Sequence, residues 1–318
     1  MTGIRVEGLT KTYRGGRVRA LDRVSLSIES GEAFGIIGPN GAGKTTFLGC
    51  LLGFLKPDSG RVTIEGREAD DLEIRAATGY LPERLVLDRW MSGADFLRYH
   101  HALARLPEGR RERDVMEAIE RVGLEPESAR RSIRKYSRGM LQRLGMAQAL
   151  LGEPRYVFLD EPASGVDPAG VVLFRRLLGE LKARGATVVL NSHQLEQVER
   201  VCDRVAFVQH GHVESIETVE AGARVAHVLR VRWSAEGQAI AGERLAAIAA
   251  ESGAELRSAT GSEARFAVSA DEVAARLLRG LIGAGLAVVE AVPEESRLER
   301  LFLGRPAGSP PPPSPEAP

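Results

Sequence analysis

The sequence predicts an α/β protein whose main domain is built on a mostly parallel sheet, followed by a smaller α+β domain. The first observation is the segment GPNGAGKTT at 38–46, which fits a phosphate-binding loop and lies between an apolar strand and an apolar helix. The second is the alternation of short apolar strands with helices over 156–208, which is typical of a parallel sheet covered on both faces. The third is a change of pattern near Gly211, beyond which the order β-α-β-β-α-β indicates a second unit.

The composition favours two globular domains and gives no overall sign of a nucleic-acid partner, although it leaves a local basic patch open. The chain has 318 residues, 43% of them hydrophobic, which is more than one ordinary domain requires. Its 43 basic residues equal its 43 acidic ones, so no overall basic excess points to nucleic acid. No run of about 20 apolar residues occurs, so we expect any membrane span to belong to another chain. Cys50 and Cys202 lie in apolar stretches and are expected to be reduced core residues.

The elements of the first domain, predicted over 1–222, follow from local patterns. Alternating residues at 4–7 and 24–28 predict half-buried strands, and the glycines between them a turn. The apolar run before the loop predicts a buried strand, and a helix follows until Pro57. A helical subdomain is predicted over about 88–150, with Ser92 as its first cap. Further strands and helices are predicted at 62–65, 156–159, 169–182, 187–190, 194–202 and 204–208.

The second domain is predicted over 223–304 as a small ferredoxin-like α+β fold without a catalytic cluster. Its strands are expected at 228–233, 254–257, 264–268 and 286–292, and its helices at 239–252 and 271–282. The Pro-rich tail at 305–318 is predicted to be disordered.

The loop at 38–46 predicts a nucleotide site. Its glycines let the backbone turn tightly, so that N–H groups point at phosphate oxygens, and the helix that follows adds partial positive charge. Lys44 is placed to reach the β- and γ-phosphates, and the Thr45 hydroxyl to bind Mg²⁺. A glycine-rich turn with a chance lysine is the alternative, which the strand–loop–helix context disfavours.

Asp160 and Glu161 supply the acidic element that hydrolysis of a nucleotide requires. They follow a buried strand, so we expect them at the C-terminal edge of the sheet, where ligands of such sheets gather. Asp160 is predicted to hold Mg²⁺ through its water shell. Glu161 is predicted to orient or deprotonate the attacking water.

Taken together and in order, the motifs of residues 4–215 resemble the ATP-binding cassette of ABC transporters, a P-loop NTPase. The resemblance implies a mixed β-sheet core, an antiparallel β subdomain and a helical subdomain. It implies ATP contacts, with Tyr13 on the adenine and the Walker A loop on the phosphates, from Tyr13, Gly38, Pro39, Asn40, Gly41, Ala42, Gly43, Lys44, Thr45 and Thr46. It implies contacts from a second subunit through the signature residues Ser137, Arg138, Gly139 and Met140.

The same resemblance implies the catalytic and metal residues. Catalysis would involve Glu161, His193 and Lys44; Mg²⁺ would be held by Thr45, Asp160 and Glu83 of the Q-loop; the D-loop would supply Ser164 and Asp167. Each residue taken singly has a plainer interpretation. Tyr13 also fits a half-buried strand aromatic, His193 a helix-capping position, and Asp167 an N-cap of the next helix. The order of the whole set favours the cassette.

Two segments depart from the usual family pattern. The signature reads Tyr-Ser-Arg-Gly-Met, where Leu-Ser-Gly-Gly-Gln is usual; it retains Ser137 and Gly139, and Arg138 is expected to add charge near the γ-phosphate or the ribose. Glu83 stands where a glutamine is usual and donates no amide hydrogen bond, although a carboxylate can still bind Mg²⁺, directly or through water. Both departures, and the segment at 297–303, resemble the bacterial ABC-2-type exporter branch.

The resemblance implies an ATP-hydrolysing subunit that drives transport, with export as the expected direction, through a separate membrane permease. Two cassettes, either two copies or this chain and a homologous one, would close head to tail around ATP and Mg²⁺ at the cytoplasmic face of the inner membrane, with no nucleic-acid partner. One alternative is a soluble cassette ATPase acting on ribosomes or nucleic acid, although such chains usually carry two cassettes or a coiled-coil insertion. The other is a nucleotide-sensing scaffold, which the full set of catalytic residues disfavours.

Overall fold

The computed structural model describes residues 2–13, 15–85, 87, 90–164, 166–219, 227–234 and 241–293. The chain divides into two compact units, Met1–Thr218 and Val219–Pro318. The domain boundary predicted between 222 and 223, the segment 297–303 and the tail 305–318 lie outside the described residues. In the described part, none of the helices combines the length and the apolar character that crossing a membrane requires.

The first unit begins with an antiparallel sheet, whose described strands have the order β2-β1-β4-β5. These strands are β1 Thr2–Tyr13, β2 Val18–Glu29, β4 Ser59–Ile64 and β5 Arg67–Glu68. The register of β1 and β2 runs from Thr2 opposite Glu29 to Tyr13 opposite Val18. Tyr13 therefore lies at the end of the hairpin.

The second sheet of this unit is mixed, and its described strands have the order β10-β9-β3-β8-β7-β6. They are β3 Ala33–Ile37, β6 Thr78–Leu81, β7 Tyr156–Asp160, β8 Thr187–Asn191, β9 Arg204–Gln209 and β10 His212–Thr218. All are parallel to their neighbours except β10. Every residue of β3, β7 and β8 is buried, as expected of strands covered on both faces. The carboxyl ends of these three strands consequently meet at one edge of the sheet.

Helices cover this sheet and form the helical subdomain. They are α1 Lys44–Leu51, α2 Leu72–Ala76, α3 Gly93–Leu103, α4 Arg111–Arg121, α5 Pro126–Ala129, α6 Arg138–Leu150, α7 Pro168–Ala183 and α8 Leu195–Val201. The predicted cap at Ser92 is confirmed, since its hydroxyl accepts from the Asp95 amide at 3.1 Å. Helix α1 ends earlier than predicted, because Phe54 and Leu55 both donate to the Gly49 carbonyl in a closing turn.

The second unit has the predicted element order β-α-β-β-α-β. Its elements are β11 His227–Trp233, α9 Gly242–Ser252, β12 Glu255–Thr260, β13 Glu263–Val268, α10 Asp271–Gly283 and β14 Val288–Pro293. The described strands form an antiparallel sheet in the order β12-β13-β11-β14. Alternate residues of β11 and β13, with Leu277 and Leu281 of α10, form its apolar core.

Candidate nucleotide-binding site

The loop between β3 and α1 is packed so closely that two of its glycines admit no side chain. A Cβ on Gly38 would lie 2.0 Å from the Val208 carbonyl oxygen, and one on Gly43 would lie 2.2 Å from the Ala20 carbonyl oxygen. Gly43 has a φ of 105° and immediately precedes α1, whose first turn receives no cap from any described side chain. The backbone N–H groups at the start of α1 are therefore available to an anion.

Lys44 is held at the base of this loop. Its Nζ donates to the carbonyl oxygens of Gly38 at 2.7 Å and Pro39 at 3.1 Å. Burial lowers the pKa of Lys44, while the nearby carboxylates of Glu161 and Asp160 oppose that shift. The ammonium group is thus fixed near acidic side chains, at the loop where we expect the phosphates to bind.

Asp160 ends β7 and is only 2% exposed. Asn191 stands opposite it in the register of β8 and donates from Nδ2 to its Oδ1 at 2.5 Å. Burial raises the pKa of Asp160, and the hydrogen bond from Asn191 opposes the shift. The other side-chain oxygen of Asn191, Oδ1, is buried without a hydrogen-bond partner among the described residues. A buried acceptor in this state calls for a donor from outside the chain, such as water.

The backbone changes direction at Glu161, and the side chain of this residue contacts His193. Its φ is 48°, a left-handed conformation that is unfavourable by about 1 kcal/mol for a residue with a Cβ. Its amide donates to the Asn191 carbonyl at 2.9 Å, and its Oε2 lies 2.7 Å from His193 Nδ1. The Glu161 side chain is 12% exposed and that of His193 54%. The histidine therefore lies at the solvent side of a nearly buried carboxylate.

These groups line one cavity of about 440 Å³, a volume within the usual range for small-molecule sites. Its walls come from Tyr13, Val18, Arg19, Ala20, Asn40, Gly41, Gly43, Lys44, Thr45, Thr46, Glu83, Asp160, Glu161, Ser164, Asn191 and His193. Twelve of these were predicted from the sequence. Asn191 was missed, although its position directly after a buried strand was a usable signal. Residues 18–20 were missed because they carry no chemical pattern.

Comparison with known proteins assigns the family. The ABC transporter family model matches residues 21–164. A Synechocystis protein described as an uncharacterized ABC transporter ATP-binding protein is 41% identical over 211 residues, 64% of this chain and 60% of that protein. The daunorubicin resistance ATP-binding protein DrrA3 of Streptomyces coeruleorubidus is 35% identical over 241 residues, 72% of this chain and 74% of DrrA3. The chain belongs to the ABC transporter ATP-binding proteins.

Solved structures agree with this assignment. The ATP-binding cassette MJ0796, in a dimeric post-hydrolysis state bound to ADP and Pi, superposes with a TM-score of 0.64 and 26% identity, covering 69% of this chain and 99% of that one. The predicted P-loop cassette fold and the family are thereby confirmed. The chain spans less than two thirds of the length of the Synechocystis relative.

Several predicted residues of the cassette lie outside the cavity. Gly38, Pro39 and Ala42 are not among the residues that line it. Asp167 caps α7, where its Oδ1 accepts from the Gly170 amide at 2.8 Å, as the alternative interpretation of this residue expects. Of the two predicted D-loop residues, Ser164 thus lines the cavity and Asp167 caps a helix.

The signature residues also lie outside the cavity of their own chain. Ser137 is the N-cap of α6, and its hydroxyl accepts from the Met140 amide at 3.2 Å. The side chains of Ser137 and Arg138 are exposed, and none of the four residues at 137–140 lines the cavity. The nucleotide site formed by one chain therefore lacks the signature segment.

The acidic residues of the site are too few to hold a metal ion by themselves. Among the described residues, no group of three or more His, Cys, Asp or Glu side chains is placed to do so. Glu83 is exposed and lines the same cavity as Asp160. This sparse oxygen set fits Mg²⁺, which in nucleotide sites keeps several waters and takes further ligands from substrate phosphates.

Proposed function

We propose that the protein binds and hydrolyses ATP as one of two cassettes that close head to tail, and that this cycle drives a separate membrane permease. The observation that carries the proposal is the convergence of Lys44, Asp160 and Glu161 on one cavity, with the signature segment of the same chain outside it. A second copy or a homologous cassette would supply Ser137 and Gly139. The dimeric state of the related cassette MJ0796 supports this arrangement.

In this function Glu161 acts as the general base. Water attacks the γ-phosphorus, its proton passes to the Glu161 carboxylate, and the bond between the γ-phosphorus and the β,γ-bridging oxygen breaks to release ADP and phosphate. His193 Nδ1, 2.7 Å from the carboxylate, orients Glu161, and in the proposed mechanism His193 also contacts the γ-phosphate. Lys44 stabilises the charge that develops on the phosphate oxygens. A positioned base of this kind contributes about 10²–10⁴-fold to a rate.

Thr45, Asp160 and Glu83 are the residues that would hold Mg²⁺. When bound, this ion neutralises the charge of the phosphate oxygens. Thr45 and Asp160 line the same cavity as Lys44, and Asn191, which donates to Asp160, has a buried Oδ1 without a described partner that would accept from a water molecule. Tyr13, at the turn end of the β1–β2 hairpin, would stack on the adenine.

Export at the cytoplasmic face of the inner membrane is the proposed direction and place of action. The related proteins named for daunorubicin resistance and for lantibiotic transport support a cassette of the exporter branch. The chain's formal net charge of zero supports a role without a nucleic-acid partner. Isolation of a multi-span membrane protein with this chain would support the permease, whereas isolation of ribosomal proteins would favour the soluble alternative.

The decisive test is Glu161→Gln in the full chain. We expect steady-state ATP hydrolysis to fall at least about 100-fold, because the amide cannot accept the proton. Binding of ATP should persist, and the ATP-bound dimer should accumulate in size-exclusion chromatography. Glu127→Gln, at an exposed carboxylate of α5 outside the cavity, is the matched control and should retain wild-type turnover. Near-normal hydrolysis by Glu161→Gln would remove Glu161 from the proposed role.

A further inference from the structure

Two side chains on one face of α6 hold the loop that follows Glu161. Arg138 Nη2 donates to the Ser164 hydroxyl at 3.1 Å, and Gln142 Nε2 donates to the Pro162 carbonyl at 2.8 Å. Arg138 and Gln142 are four residues apart, so they lie one above the other on the helix surface. The N-terminal end of α6, where the signature lies, is therefore bonded directly to the loop of the catalytic glutamate.

The bonded loop leads back to Glu161 within three residues. The Ser164 amide donates to the Glu161 carbonyl at 3.0 Å, which closes a turn over the residue that has the left-handed backbone. Ser164 also lines the nucleotide cavity. A continuous series of contacts thus runs from the Arg138 guanidinium through Ser164 to the backbone of Glu161.

Arg138 has no other described role in its own chain. It forms no ion pair with any residue that the structure describes, and its side chain is exposed rather than packed. The described polar contact of the Arg138 side chain is therefore the hydrogen bond to the Ser164 hydroxyl. The expectation that its charge acts on a phosphate or a ribose of the partner's nucleotide stays a prediction.

The geometry points to Arg138 as a positioning residue that couples the two nucleotide sites of a cassette pair through Ser164. The inference rests on the proposed function, in which Ser137 serves the nucleotide of the partner chain while Glu161 serves the nucleotide of its own. Arg138 directly follows Ser137, so engagement of Ser137 by one nucleotide is transmitted through the Arg138–Ser164 hydrogen bond to the base that acts on the other. Occupation of one site then orients the catalytic carboxylate of the second.

The test is a double-mutant cycle of Arg138→Met and Ser164→Ala in the full chain, followed by steady-state ATP hydrolysis. We expect each single variant to lower kcat about 10-fold, the effect of losing one charge-assisted hydrogen bond, with KM for ATP within about 2-fold of wild type. The Hill coefficient for ATP should fall towards 1. The double variant should be no slower than the slower single variant, because both changes remove the same contact.

A matched control comes from Arg143 on the same helix, whose Nη1 donates to the Gly123 carbonyl at 2.7 Å, away from the loop. Arg143→Met should leave kcat and the Hill coefficient unchanged, and thermal unfolding of each variant verifies that it is folded. Additive effects of the two substitutions, or a raised KM in Arg138→Met that Ser164→Ala does not reproduce, would overturn the inference and place Arg138 on the nucleotide. Wild-type protein without ATP hydrolysis would instead overturn the proposed function itself.

Discussion

The two halves of the proposed nucleotide site are built in opposite ways. The half formed by the P-loop and β7 contains buried ionisable side chains: Lys44 is 7% exposed and Asp160 2%, and each forms hydrogen bonds within its chain. The signature half lies at the exposed start of α6, where Ser137 forms a helix-capping bond and Arg138 reaches to Ser164. The first half is complete before any partner arrives, whereas the second contributes nothing to its own cavity.

The two halves differ in the free energy of burying their side chains. Burying ionisable groups such as Lys44 and Asp160 is unfavourable for the chain without nucleotide, as the directions of their pKa shifts indicate. The signature residues Ser137 and Arg138 are exposed and have no such unfavourable free energy of burial. Substitutions in the buried half should therefore change what a single chain does, and those in the signature half should change what a pair does.

The largest effect is expected for Lys44→Ala. The variant removes the ammonium group that is held at the bottom of the loop by Gly38 and Pro39. Two charge-assisted hydrogen bonds to phosphate correspond to a loss of about 100-fold in ATP affinity. Isothermal titration of the monomeric chain measures it, with the exposed Lys56→Ala as the matched control. Equal affinities of the two variants would contradict the assignment of the P-loop.

Ser137→Ala should distinguish the two halves of the site, because it should change hydrolysis but not the binding of ATP. We expect ATP hydrolysis to fall about 10-fold, from loss of one hydrogen bond to a charged phosphate, without any change in ATP affinity of the monomeric chain. The variant also loses the cap of α6, which is worth about 1 kcal/mol of stability. Ser92→Ala removes the equivalent cap of α3 and is the matched control for that loss. If Ser92→Ala slowed hydrolysis as much, the signature role of Ser137 would be wrong.

The buried half was also the more predictable half. Strands β3, β7 and β8 are continuous apolar runs, and the residues that follow such runs collect at one sheet edge, so Lys44, Asp160 and Glu161 were placed correctly. Strand β10 was not predicted, because its residues are all partly buried or exposed and show no clean alternation. Tertiary contact with β9 determines that strand rather than its own pattern.

Contacts between distant segments were beyond the reach of the sequence. The bond from Asn191 to Asp160 spans 31 residues and depends on the register of two neighbouring strands, which periodicity does not specify. Arg138 was expected to act on a nucleotide, because its segment matched the signature. Its contact with Ser164, 26 residues away, depends on how α6 packs against the loop.

A smaller effect is expected at the rim of the cavity, for Tyr13→Ala. Tyr13 is 37% exposed, and its hydroxyl lies 3.5 Å from the Thr46 hydroxyl. Stacking of a base on an aromatic ring contributes about 1 kcal/mol or more, so ATP affinity should fall about 5-fold. Tyr13→Phe keeps the ring and should bind within about 2-fold of wild type in the same titration. A loss with Tyr13→Phe equal to that with Tyr13→Ala would assign the effect to the hydroxyl instead.

The smallest effect is expected on stability, for Asp160→Asn. The sign of the change in the free energy of unfolding distinguishes a buried functional carboxylate from an ordinary one. Burial raises the pKa of Asp160 in the folded chain above its unfolded value. Its contribution to the free energy of unfolding is therefore fully present below the unfolded pKa and is lost as pH rises through the raised folded pKa. Without nucleotide, Asp160→Asn should consequently be more stable than wild type near pH 7, by about 1 kcal/mol, while hydrolysing ATP poorly.

Asp58 provides the opposite case in the same unit. Hydrogen bonds from the Thr12 hydroxyl and amide lower the pKa of Asp58 to about 2. Its stabilising contribution is present above the unfolded pKa and is lost as pH falls towards 2, so Asp58→Asn should destabilise the chain at pH 7. Urea unfolding of both variants between pH 5 and about 8 compares the two signs directly. A loss of stability in Asp160→Asn would mean that the hydrogen bond from Asn191 outweighs burial, and that the catalytic edge of the sheet is stabilised by its charge rather than held against it.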